Sequence, residues 1–80
     1  MNMAEDKLTE TFAQVLKVDR ASLNDESSPD NTPSWDSLSA VRLVTAIEET
    51  FNVELTTTEI LRMRNVGMAR DVLRRKGVSV

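Results

Sequence analysis

Eighty residues limit this chain to a single domain, 1–80, near the size at which one hydrophobic core barely suffices. Cys and His are both absent, which excludes a disulfide framework, a thiolate metal site and a Ser-His-Asp relay built from this chain alone. The net charge of −3 is uneven: eight acids face three bases over residues 1–36, four face one over 37–61, and one faces six over 62–80.

The N-terminus, Met1-Asn2-Met3-Ala4-Glu5-Asp6, lacks the basic and apolar regions of a secretory signal. No apolar run approaches the roughly 18 to 20 residues that span a bilayer. A cytoplasmic monomer with no membrane insertion is the expectation. Asn2-x-x-Glu5 has the spacing of a capping box. Beyond it Leu8, Phe12, Val15 and Leu16 recur at helical spacing, predicting an amphipathic helix over about 3–16.

Periodicity then stops from Asp19 to Trp35. The polar run Asn24 to Ser34, with Pro29 and Pro33, predicts a long loop. Loops of this length are uncommon in small domains and are usually functional or mobile. Val18 and Leu23 are its aliphatic anchors, and such a loop could yield to an incoming enzyme.

Asp36 is a strong N-cap, which makes Ser37 the first residue of a second helix running to about 50. At about 100° per residue Ala40, Leu43, Val44, Ile47 and Phe51 share the core face. Leu38 and Val41 fall on the opposite side with Arg42, Thr45, Glu48 and Glu49. Two aliphatics on a charged face resemble a docking patch, although scattered exposed aliphatics are ordinary.

Val53 and Leu55 turn inward along an extended connection. Thr56-x-x-Glu59 is a second capping box, opening a short third helix that buries Ile60, Leu61 or Met63. Asn65 caps a fourth helix with Val66, Ala69, Val72 and Leu73 inward and a stop at Gly77. Arg70, Arg74, Arg75 and Lys76 are placed outward or in the last turn, where cations suit the helix dipole. The expected fold is all-α: a small, mostly antiparallel four-helix bundle with a long first loop and a short third helix.

Serines near helix starts are usually caps that bond backbone N–H groups. Ser37 lies just inside the helix, which leaves its hydroxyl free, and it is followed by an exposed apolar pair. A phosphate ester there would sit at the positive end of the helix dipole. Asp36 opposes that with its own charge, so its role is capping or metal contact within a modifying complex. Trp35 is read as a core anchor before a partner contact.

Trp35-Asp36-Ser37-Leu38, then Val41, Leu43-Val44 and Ile47-Glu48-Glu49-x-Phe51, resembles the acyl carrier proteins, and the resemblance spans essentially the whole chain. It implies a carrier with no catalytic residue and no metal site of its own. It further implies that Ser37, beside Asp36, bears 4′-phosphopantetheine donated by coenzyme A through a separate, Mg²⁺-dependent phosphopantetheinyl transferase. The arm's thiol would hold acyl groups as thioesters for acyl-loading, condensing or acyl-transfer enzymes. By the same resemblance Leu38, Val41, Arg42, Glu48 and Glu49 fall where such carriers meet partners. Arg42 and the basic end depart from the usual acidic pattern of fatty-acid carriers, and Trp35 replaces a small residue. Those departures suit a dedicated polyketide, lipid or other secondary pathway.

Two other readings compete. A peptidyl or aminoacyl carrier would use the same serine and arm with a different cargo. A helical nucleic-acid binder would use the basic end, yet the body is acidic and no groove-reading motif is visible.

Overall fold

The computed structural model describes the backbone of residues 3–80 and the side chains of residues 7–80. The Asn2–Glu5 capping box lies outside the described residues. Four α-helices follow in order: α1 Met3–Leu16, α2 Ser37–Phe51, α3 Thr57–Arg62 and α4 Val66–Arg75, with one 3₁₀ turn at Arg20–Ser22. Among the described residues there is no strand. The all-helical expectation is met, including the short third helix.

The core is built where the apolar spacing placed it. Leu8, Phe12 and Leu16 of α1 meet Leu43 and Ile47 of α2 and Val66, Ala69 and Leu73 of α4, all at 2% exposure or less. Side chains of this size contribute about 1.5–3 kcal/mol each when fully buried, so these three faces carry the fold. Trp35, from the loop, joins them with its ring 5.2 Å from that of Phe12 at a 56° tilt. The expectation that it anchors the core is met.

Three helices end by one device. Lys17, Asn52 and Gly77 take left-handed or positive-φ backbone, with φ of 59°, 54° and 90°. The next residue's N–H then reaches back five residues: Val18 to Ala13 O, Val53 to Glu48 O and Val78 to Leu73 O, at 3.1, 3.1 and 3.0 Å. This closure satisfies carbonyls that a helix end leaves open. The residue after each turn is a valine, and all three pack against the core. Chain reversal and core filling are therefore one event at each end.

The long loop is organised by hydrogen bonds of its own. Ser27, Asn31 and Trp35 N–H groups donate to the carbonyls of Asn24, Ser28 and Thr32, making three i→i+3 turns. Asn24 Oδ1 accepts from Glu26 N, and Asn31 Oδ1 from Ser28 N, at 2.8 and 2.9 Å. Ser27 and Thr32 are buried. Polar side chains that read as helix breakers here supply the turns' own acceptors.

Two expectations are corrected. α3 buries none of its residues: Ile60 is 36% and Leu61 71% exposed, and only Met63, just past its end, is half-buried. A helix of six residues is under two turns and has no full face to bury. It is held instead at its first turn, through the complete Thr56–Glu59 capping box and a Lys76–Glu59 ion pair at 3.0 Å. At the basic end Arg74 and Arg75 are exposed in the last turn, as expected, while Arg70, with its side chain 13% exposed, and the half-buried Lys76 are less outward. Arg70 meets Asp25 at 3.2 Å and the Thr9 hydroxyl at 3.3 Å, while Arg74 donates to Val80 O at 2.8 Å and Arg75 pairs with Asp71 at 3.1 Å.

Candidate functional site at the start of helix α2

The approach to α2 is locked on both sides of Ser37. Trp35 is sunk in the core, which fixes the chain just before the helix. Asp36 is extended, at φ −113° and ψ −171°, and its Oδ1 accepts from Ser39 N at 2.9 Å. The Ser39 hydroxyl donates back to Ser34 O at 2.7 Å. The Ser39 amide and hydroxyl beside Asp36 hold its carboxyl below the usual carboxylate range, so it stays charged at neutral pH.

Inside this frame Ser37 is exposed, and its hydroxyl makes no hydrogen bond to any described residue. Asp36 takes the capping duty that would otherwise occupy a serine at the helix mouth. The outcome is a primary alcohol held at a defined point on a rigid helix, open to approach. Among the described residues no side chain hydrogen-bonds it, the Asp36 carboxylate being turned to Ser39, so none is placed to activate it as a nucleophile.

The remaining candidates divide. Leu38 and Val41 are 62% and 64% exposed, and they lie one and four positions beyond Ser37. Arg42 and Glu49 are exposed as well. Glu48 differs: its carboxylate accepts from Leu55 N at 2.8 Å, so it braces the α2–α3 connection and does not project freely. Ser39 escaped the sequence reading, although a serine three residues after an Asp cap was the available signal. Among the described residues no group of three or more His, Cys, Asp or Glu could hold a metal ion, and no helix is long and apolar enough to cross a membrane.

A protein-family model described as "Phosphopantetheine attachment site" matches residues 6–73. An acyl carrier protein of Guillardia theta is 31% identical over 71 residues, 89% of this chain and 88% of that relative. The chain belongs to the acyl carrier protein family. The solution structure of a holo acyl carrier protein from Geobacter metallireducens is similar at a TM-score of 0.80 and 32% identity, over 91% of this chain and 84% of that one. A second holo acyl carrier protein, from Nitrosomonas europaea, shares the fold at a TM-score of 0.80 and 22% identity, over 98% and 100% of the two chains.

Phosphopantetheine is thus the group this carrier bears, and an exposed alcohol at a helix mouth fits it. A phosphate ester needs a hydroxyl oxygen with room around it, and the positive end of a helix favours an anion.

Proposed function

We propose that Ser37 is the attachment point and that the chain carries acyl groups as thioesters on its arm, delivering them to enzymes of a dedicated polyketide, lipid or other secondary pathway. The observation that carries this reading is the free, exposed hydroxyl of Ser37 inside the region matched by the family model. In the loading step Ser37 Oγ forms a bond to the phosphorus that bears the pantetheine of coenzyme A. The bond from that phosphorus to the other phosphate breaks, adenosine 3′,5′-bisphosphate leaves, and the transferase accepts the serine proton. Asp36 holds the helix mouth in shape during this exchange, while Leu38, Val41, Arg42 and Glu49 present the surface partners meet.

The carrier contributes position and its partners contribute chemistry, which suits a chain with neither Cys nor His. The reactive sulfur arrives with the arm. Nucleic-acid binding forms no part of this reading, because four of the six bases in 62–80 are engaged within the chain. We place the protein in the cytoplasm, where coenzyme A and the transferase are found together.

Intact mass after incubation with coenzyme A and a broad-specificity transferase tests the attachment. The wild-type chain should gain one phosphopantetheine and Ser37→Ala none, with helical content unchanged. Gain by the alanine variant, or no gain by the wild type, rejects the assignment.

A further inference from the structure

Two apolar spaces lie one behind the other along α2. The outer is an open cleft of about 270 Å³ lined by Ala40, Val41, Val44, Thr45 and Ile60. Behind it, and sharing Ala40, Val44 and Ile60, is a cavity of about 40 Å³ completed by Phe12, Trp35, Leu43 and Met63. Ser37, Ala40, Val41 and Val44 stand at i, i+3, i+4 and i+7, so the cleft follows the helix face on which the attachment serine lies.

We propose that Trp35 is a specificity-determining residue whose indole closes the inner end of this cleft, so that the carrier shelters an acyl group of only a few carbons. This rests on the reading that Ser37 bears the arm. Size decides it first. A single water needs about 10–15 Å³ of such space and benzene is held by a cavity of about 150 Å³, so the inner cavity takes only a small group. Rigidity decides it second. Trp35 is 6% exposed and its indole packs at a tilt against Phe12, which is fully buried between Leu8 and Leu16 on α1. It cannot retreat without displacing a helix that carries the core. The opposite wall, α3, has no fully buried residue and is held at its first turn, so it is the movable side while Trp35 is the fixed floor. Carbons beyond the first few then remain in the open cleft or in solvent, where partner enzymes meet them.

The test loads one carrier with arms of increasing length, using the transferase with butyryl-, octanoyl- and dodecanoyl-coenzyme A, and confirms each product by intact mass. Thermal midpoints are compared across lengths within each variant. For the wild type they should agree within about a degree, because added methylenes stay on the solvent-exposed side of the cleft and bury little new surface. In Trp35→Leu the octanoyl form should melt at least about 4 °C above the butyryl form, since newly buried methylenes stabilise the loaded state. Trp35→Phe, which keeps an aromatic against Phe12, should fall between them and serves if the leucine variant does not fold. Emission of Trp35, the sole tryptophan, should not change with length in the wild type. Equal length dependence in wild type and variants overturns the proposal while leaving the attachment intact. A chain that gains no mass overturns the attachment reading, and this proposal with it.

Discussion

Helices α2 and α4 begin alike and are then treated in opposite ways. Each follows an extended residue whose side chain accepts the N3 amide, Asp36 from Ser39 N at 2.9 Å and Asn65 from Met68 N at 2.7 Å. At α4 the long loop then closes the mouth: Val66 N donates to Ser27 O and Gly67 N to Asp25 O, at 3.1 and 2.9 Å. Arg70, one turn on, clamps Asp25. At α2 the same loop ends in a buried Trp35 and leaves Ser37 and Leu38 exposed. A helix start whose amides are met by the chain is architecture, and one left to solvent is available for a ligand. The loop therefore seals one mouth and holds the other open.

The largest expected effect comes from prising the sealed mouth apart. A Cβ on Gly67 would lie 3.0 Å from both Asp25 Cβ and Asp25 O, tight enough that the loop would have to give by a few tenths of an ångström. Overpacking of this kind costs about 1–3 kcal/mol, offset by up to about 1 kcal/mol from replacing glycine within a helix. Gly67→Ala should thus destabilise by up to about 3 kcal/mol in urea unfolding, the more the less the loop can give. At the open mouth Ser37→Ala or Leu38→Ala should stay within about 0.5 kcal/mol. Similar costs at both mouths would remove the distinction between them.

That contrast also marks where sequence reasoning ran out. The bounds of α1 follow from Leu8, Phe12 and Leu16, and the starts of α2, α3 and α4 from Asp36, Thr56 and Asn65, because caps and apolar stripes are local signals. An exposed Ser37 follows from the same local logic. What the loop does is not local. Its turns are visible in Asn24-x-x-Ser27 and Ser28-x-x-Asn31, but their landing place at Gly67 is some forty residues away. α3 was misjudged because six residues cannot define a face. Glu48 and Arg70 are both expected to face outward, yet their long side chains turn back to partners that a wheel does not contain, Leu55 N and Asp25. The pairs Asn52-Val53 and Gly77-Val78 carry a readable signal for two helix ends, a residue type that favours the left-handed region followed by a core valine, whereas Lys17 takes the same conformation with no such signal.

A smaller effect separates two classes of arginine. Arg70, with its side chain 13% exposed, holds the loop, so Arg70→Ala should cost about 1 kcal/mol of stability by loosening the sealed mouth. Arg62 and Arg64 are exposed and make no ion pair among the described residues. Arg62→Glu with Arg64→Glu should leave the unfolding midpoint nearly unchanged. Those two positions are where charge reversal can report on partner enzymes, through transfer rates measured against salt concentration. Equal loss of stability in both sets would show that the basic end acts as one unit.

The smallest effect uses the one chemical difference between the two caps, since Asp36 titrates and Asn65 does not. Hydrogen bonds from Ser39 hold the Asp36 carboxyl below its ordinary value in the folded chain. A depressed folded-state pKa means the stabilisation is complete above the unfolded value, about 3.9, and fades as pH falls through the lower folded value. Asparagine caps about as well as aspartate but carries no charge, so Asp36→Asn should change little at pH 7 and flatten the acid limb of the stability curve. The limb will not vanish, because the Thr56 amide and then Lys76 depress Glu59 in the same direction. Asn65→Ala should instead lower stability by about 1 kcal/mol equally at pH 3 and pH 7. An Asp36→Asn variant with the wild-type acid slope would mean that the open mouth is held by Trp35 and Ser39 alone, and that the charge beside Ser37 serves only the incoming transferase.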